Sequence, residues 1–242
     1  MKPCDIFITT YLRQELTGNT LKYLKERTKY PYRVFLIDNG GNERYRDDVD
    51  YYIGLSKNIG IHAAWNLALS LAESEYFITS DNDIYVPDLD PDWLSQVIQY
   101  MDERPNYGAI SLHPHVFIGA ASIEPTTIEN VVERNMAGAV MRIMRTEAVR
   151  QAGGWEHKIE AGRNHEERTI CSRLQTAGYK VGITSRIRAW HSFGKEVEDS
   201  GGGWGYPASF PPEAQKHNPE LKEYVKSFDN QDGYDLKTWL PK

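Results

Sequence analysis

Cysteine is nearly absent, with Cys4 and Cys171 the two thiols in 242 residues. Two cysteines build neither a disulfide framework nor a CxxC metal site, and a pair of buried free thiols suits a reducing, cytoplasmic setting. A basic run is missing too. Lys and Arg total 28 against 34 Asp and Glu, a formal net charge of −6, and no cluster of cations is available to meet a phosphate backbone, so nucleic acid is not an expected partner. Long hydrophobic runs are also lacking. The first apolar stretch, Ile6-Phe7-Ile8, is far shorter than a signal-peptide core. The longest amphipathic stretch, 61–72, is broken by His62, Asn66 and Ser70, whereas a spanning helix needs roughly 20 mostly apolar residues, so no transmembrane segment is expected. Neither an internal repeat nor a low-complexity tract occurs. What is present, 40% hydrophobic and 26% charged residues, is enough for a real core, and the length fits one large domain.

The first half alternates short apolar runs with stretches of helical spacing, the signature of a parallel α/β fold. Strands are expected at Ile6–Ile8, Arg33–Ile37, Tyr51–Gly54, Tyr76–Thr79 and Gly108–Leu112, with helices over Leu12–Arg27 and 61–72. A further helix, marked by Leu94, Val97, Ile98 and Met101, is expected to open at Asp90-Pro91, Asp as cap and Pro in the first turn. Periodicity is lost from His113 to Asn135 and returns in 137–141. A helix from Glu166 to Ala177 is then ended by Gly178, with a strand over Lys180–Thr184. Residues 194–212 hold five glycines and three prolines together with Trp204, Tyr206 and Phe210; aromatics on a glycine-hinged loop suggest a lid. The tail from Glu213 to Lys242 is polar.

The most informative motif is Asp81-Asn82-Asp83, directly after the apolar strand that ends near Ile78. In extended chain residues i and i+2 project to the same side, so the two carboxylates are placed to share one hard cation. Ligand sites of open α/β sheets lie beyond the carboxyl ends of the strands. Asp38 and Thr9-Thr10-Tyr11 follow strands in the same way, so three strand ends present polar groups together. Asp38 is equally at home as a turn residue before Gly40-Gly41.

These segments, in this order, resemble the GT-A glycosyltransferases, specifically family 2. Ile6 to Tyr11 is similar to the family's first strand, whose end holds the nucleotide, and Leu36-Ile37-Asp38-Asn39-Gly40 to the strand whose Asp contacts uracil. Asn58-Ile59-Gly60 through Trp65-Asn66 resembles the Asn-x-Gly segment and its helix, and Asp81-Asn82-Asp83 falls where the family's DxD belongs. Met136 to Val140, with Gly138, resembles the floor of the sugar pocket; Glu166-Glu167 before Arg173-Leu174 and Gly178-Tyr179 resembles the acidic pair and following helix; His191 resembles the late histidine of the metal shell. Position 65, where many members carry Arg, is Trp here, and Lys57 and Arg163 are the candidate replacement cations.

The resemblance implies a single GT-A domain at 1–193, Rossmann-like, with a mixed, mostly parallel central sheet flanked by helices. Its nucleotide-sugar half is 1–112 and its acceptor half 113–193, with a lid and tail at 194–242. It implies a divalent metal, Mn²⁺ or Mg²⁺, on Asp81, Asp83 and His191. A nucleotide-sugar donor, a UDP-sugar first, is expected on Thr9, Thr10, Tyr11, Asp38, Asn58, Asp81 and Asn82. An acceptor and sugar pocket is expected at Trp65, Gly138 and Trp204, and the acceptor itself is a carbohydrate, a lipid-linked glycan or a protein. Catalysis falls to the pair Glu167 and Glu166, with Glu167 as general base of an inverting transfer; Glu166, about 100° away around a helix, is expected to face elsewhere. Two alternatives stand beside this. A nucleotidyltransferase would carry a glycine-rich loop after the first strand, but no glycine precedes Gly18 here. A nucleotide-sugar or carbohydrate binding module without turnover would keep the donor site alone.

Overall fold

Strands of a parallel sheet are covered on both faces and read as nearly continuous apolar runs, and β1, Cys4–Thr10, is buried along all 7 of its residues. The structure, a computed structural model, describes residues 3–11, 14–41, 43–114, 130–156 and 166–191. In chain order the elements are β1, α1 (Gln14–Arg27), β2 (Tyr32–Asp38), a 3₁₀ turn at Arg46–Asp48, β3 (Tyr51–Gly54), α2 (Ile61–Leu71), β4 (Tyr76–Asp81) and β5 (Ile84–Tyr85). Then follow α3 (Trp93–Asp102), β6 (Tyr107–Pro114), β7 (Val131–Arg134), β8 (Arg142–Arg145), α4 (Thr146–Gln151), α5 (Glu166–Thr176) and β9 (Lys180–His191). The sheet runs β3-β2-β1-β4-β8-β6-β9, with β5 and β7 paired to β9. Only β8 is reversed along that path. This is the mixed, mostly parallel α/β architecture the sequence implies.

Alternation along β1 divides the core. Ile6 and Ile8 face Leu21 and Leu24 of α1 and Trp93, Leu94 and Val97 of α3, while Phe7 faces Trp65 and Leu67 of α2, Val149 of α4 and Ile170 and Leu174 of α5. Both cysteines are buried and unpaired. Among the described residues no helix is long and apolar enough to cross a membrane.

The structure differs from the sequence reading in three places. Asp92, not Asp90, caps α3, its carboxylate accepting from the Leu94 and Ser95 N–H groups, which leaves Pro91 ahead of the helix. The short strands β5, β7 and β8 and the one-and-a-half-turn α4 lack a periodic apolar signal and exist through their sheet partners. The strand starting at Lys180 does not stop at Thr184. It runs to His191 after a register shift against β6, and its far end pairs with β5. Gly178 closes α5 as expected, in the left-handed region at φ +90°. The lid and tail at 194–242, with Trp204, lie outside the described residues, as does Arg163.

Candidate active site

Parallel pairing in register sets Thr9 beside Asp81 and Thr10 beside Asp38, so the carboxyl ends of β1, β2 and β4 form one ledge. Asp81 ends β4, Asp83 follows across a turn, and the pairing of Ile84 with His191 carries the end of β9 over that turn. One ligand atom from each of Asp81, Asp83 and His191 lies within 4.8 Å of the others. His191 Nε2 is 3.1 Å from Asp83 Oδ1. Asp83 and His191 are buried and Asp81 half-buried. Burial first, and the Asp83 charge second, push the Asp81 carboxyl up to about 8. Burial alone would lower His191, but the hydrogen bond and charge of Asp83 outweigh it, and the imidazole sits above its ordinary value. Two crowded carboxylates and an imidazole, all within reach of one point, fit a divalent cation: oxygen donors suit Mg²⁺, and the nitrogen shifts the preference towards Mn²⁺.

The turn that carries Asp83 is pinned from below. Asn82 Nδ2 donates to Thr17 Oγ1 at 2.9 Å and Thr10 Oγ1 at 3.2 Å, the two hydroxyls are 2.8 Å apart, and Thr20 Oγ1 donates to Asn82 O at 2.8 Å. The side chains of Thr10 and Asn82, expected on the donor, are thus engaged with α1 beneath the turn. Asp38 is likewise occupied: Oδ1 accepts from Gly40 N and Gly41 N, and Oδ2 from Tyr52 Oη at 2.8 Å and Glu43 N at 3.3 Å. A carboxylate offers about four acceptor positions, and this turn uses that many. The Tyr11 ring lies against Gly40, 3.4 Å from where a Cβ would stand. Asn58 Oδ1 accepts from Gly60 N, and Asn39 Oδ1 from Ile59 N, which together set the entry to α2.

On the other side of Asp81 the segment 137–141 joins this ledge to α5. Ala139 O accepts from Asp81 N at 3.3 Å and from Ser80 Oγ, while Ala139 N donates to Glu167 Oε1 at 2.9 Å. A Cβ on Gly138 would stand 3.4 Å from that carboxylate oxygen, so the floor is bare where Glu167 approaches. Glu167 is half-buried and Glu166 buried. Burial pushes the Glu166 carboxyl up to about 7.

Trp65 requires a correction. It is fully buried, its indole ring tilted against Trp155 at 5.6 Å, and it presents no face to a sugar. The helix that carries it also holds Asn66, which accepts from Trp155 N and donates to Trp155 O. Among the described residues the cation beside Trp65 is Arg142, whose guanidinium lies 4.7 Å from the Trp65 ring centre. Sequence reasoning missed Arg142 because an arginine at the start of a short strand reads as a surface residue. Asn39, Tyr52 and the Asn66–Trp155 clamp were missed for a similar reason, since each acts through a partner distant in sequence.

A model of glycosyl transferase family 2 matches residues 5–165, about two thirds of the chain. The chain belongs to glycosyl transferase family 2. Solved structures similar to this family 2 chain share its fold. TarS from S. aureus in complex with UDP aligns with TM-score 0.61 at 16% identity over 78% of this chain and 60% of its own. The mannosyltransferase PcManGT from Pyrobaculum calidifontis in complex with GDP-Man and Mn²⁺ aligns with TM-score 0.61 at 16% identity over 97% and 77%. GalNAc-T7 with UDP, GalNAc and Mn²⁺ aligns with TM-score 0.65 at 11% identity over 94% and 50%. The uncharacterized protein Rv1520 of Mycobacterium tuberculosis is 28% identical over 114 residues, 43% of this chain and 31% of that one. The chain thus spans about a third of the length of the curated relatives it matches. Within this family 2 fold, the Asp81–Asp83–His191 group and Glu167 stand on opposite sides of Ala139, one bonded to its carbonyl through the Asp81 N–H and the other to its own N–H.

Proposed function

We propose that this chain is a metal-dependent inverting glycosyltransferase that moves a sugar from a nucleotide diphosphate to an acceptor hydroxyl. The observation that carries the reading is Ala139, whose carbonyl accepts from the Asp81 N–H and whose own N–H donates to Glu167, so that one short floor segment links the candidate cation ligands to the candidate base. Asp81, Asp83 and His191 would hold the cation, which when bound supplies Lewis-acid stabilisation of the charge that grows on the departing diphosphate. The remaining work belongs to the protein. Thr9, Tyr11, Asp38 and Asn58 line the ledge assigned to the nucleotide. Thr9 Oγ1 and Asn58 Nδ2 are buried there with no hydrogen-bond partner among the described residues, a cost that a bound donor would offset by hydrogen bonding. Thr10 and Asn82 serve the donor by keeping the Asp83 turn in place.

An acceptor hydroxyl is a weak nucleophile, and a carboxylate within hydrogen-bond reach takes its proton as the new bond forms. Glu167 is that base. Its Oε1 is fixed by the Ala139 N–H, and Oε2 is the atom we assign to the hydroxyl. One base and one displacement invert the anomeric centre without a covalent intermediate. A carbohydrate, lipid-linked or protein acceptor is compatible with this chemistry, and a UDP-sugar is the first donor to test.

Purified protein with Mn²⁺ and a panel of UDP- and GDP-sugars tests the reading through release of free nucleotide. Glu167→Gln is expected to lower kcat about 100-fold or more with donor affinity kept within about threefold, following the usual contribution of a general base. Asp83→Asn is expected to abolish Mn²⁺-dependent donor binding in calorimetry. Donor binding with no nucleotide release for any acceptor would instead favour a binding module, and full activity of either variant would remove that residue from its role.

A further inference from the structure

A buried cation lies behind the proposed base. Arg142, at the start of β8, is 0% exposed, and its guanidinium is held by two indoles, 4.7 Å from the Trp65 ring centre and 5.6 Å from that of Trp155. It donates from Nη1 to Ala137 O and from Nη2 to Thr79 Oγ1, both at 3.1 Å. Thr79 lies two residues before Asp81 on β4, and Ala137 lies two residues before Ala139. The fork of one arginine therefore ties the strand of the cation site to the segment that holds Glu167.

Such a residue is costly to bury. A charged group taken from water requires compensation by an opposite charge, by hydrogen bonds or by aromatic faces. Two neutral acceptors and two indoles supply part of it here, and Arg142 Nε has no partner among the described residues. The nearby titratable groups that feel the guanidinium are Glu166, whose carboxyl it draws back towards ionisation against the stronger effect of burial, together with Cys171 and His62. Glu166 is the acid among them, and it precedes Glu167 in the first turn of α5. A residue needed only to fill this volume would be apolar, because the Trp65–Trp155 pair and the Asn66 clamp already close the core.

We propose that Arg142 is a positioning residue for the transfer reaction, fixing the 137–139 floor and pairing electrostatically with Glu166 so that Glu167 stays in its bond to the Ala139 N–H. The proposal rests on the glycosyltransferase reading above. Arg142 touches neither substrate; it acts through Ala137 and through the charge on α5.

The test uses the full chain with Arg142→Met, Arg142→Lys, Glu166→Gln and the Arg142→Met/Glu166→Gln pair. Arg142→Met, similar in length and uncharged, is expected to leave donor KM and Mn²⁺ affinity within about threefold while kcat falls about thirtyfold or more, the pattern of a transition-state interaction. Arg142→Lys, which keeps the charge and loses the fork, is expected to recover part of that loss. Unchanged kcat in Arg142→Met overturns the proposal, as does a parallel loss of kcat and donor affinity, which would mark a general structural role. A thermal-melting cycle at pH 8 gives a readout independent of transfer. Arg142→Met is expected to lower Tm less in the Glu166→Gln background than alone, and equal losses overturn the electrostatic link. Wild-type protein inactive with every donor would sink the glycosyltransferase reading, whereas active wild type with active Arg142→Met sinks this proposal alone.

Discussion

Glu166 and Glu167 are sequence neighbours with different surroundings, and the difference is chemical. Glu167 is half-buried with one oxygen bonded to the Ala139 N–H at 2.9 Å, the setting from which the proposed base would act. Glu166 points into the protein, where burial raises its carboxyl from 4.5 to about 7. An acid whose pKa rises on folding binds its proton more tightly in the native state, so native stability falls as pH climbs from about 4.5 through 7 and stays low above it. Glu166→Gln removes that titration. Its Tm relative to wild type is therefore expected to improve between pH 5 and pH 8, by about 2 kcal/mol or roughly 5 °C for a chain of this size. Differential scanning calorimetry at the two pH values measures it, and a difference that does not change with pH would show that Glu166 does not titrate as assigned. At the same scale, the sequence pointed to Asp38 for two reasons at once, turn chemistry and base contact. The structure has its carboxylate fully used by the turn, with Tyr52 as a partner that no local pattern announces.

At the scale of elements, the turn between β4 and β5 shows what a motif leaves out. Asp81-Asn82-Asp83 was legible because two carboxylates at a strand end are chemically distinctive. The threonines that hold the turn, Thr10, Thr17 and Thr20, were not legible as a group, because a hydroxyl gains meaning only when β1 and α1 bring it against Asn82. Removing the amide leaves two buried hydroxyls without their central partner, a loss of about 1–2 kcal/mol by the usual value of buried hydrogen bonds. Asn82→Ala is accordingly expected to lower the urea midpoint and to weaken Mn²⁺ binding about tenfold, since a looser turn must be ordered when the cation binds. Calorimetric titration with Mn²⁺ checks the second half, and wild-type affinity in a destabilised variant would confine Asn82 to stability. The same lesson applies to α2. Its apolar face was readable from spacing, but Trp65 was assigned to a pocket because periodicity marks a face without saying whether water or Trp155 covers it. Gly154 is intelligible only in that packed state: its φ is +66°, and a Cβ would come within 2.6 Å of Asn66 Oδ1.

Across the whole molecule, the net charge of −6 has a local consequence at the ledge. Asp81 and Asp83 face the region assigned to a diphosphate, and like charges in a site of reduced dielectric repel strongly. The buried position of Asp83 and His191 and the raised Asp81 carboxyl describe crowded acidic groups whose ionisation a bound cation would favour. Nucleotide and metal are thus expected to bind as linked ligands, each raising the affinity for the other by the same factor. Mn²⁺ alone at 1 mM and UDP alone at 1 mM should shift Tm little. Together, at about 100 times their joint dissociation constant, they should add about 2.7 kcal/mol of stability, some 5–10 °C for a chain of this length. EDTA should return the melting curve to that of the unliganded protein. Uncoupled shifts, in which the combined effect equals the sum of the separate ones, would mean that the acidic cluster does not meet the diphosphate. A UDP shift that survives EDTA would give nucleotide binding to the chain's own hydrogen-bond donors, with Thr9 and Asn58 the first to be substituted.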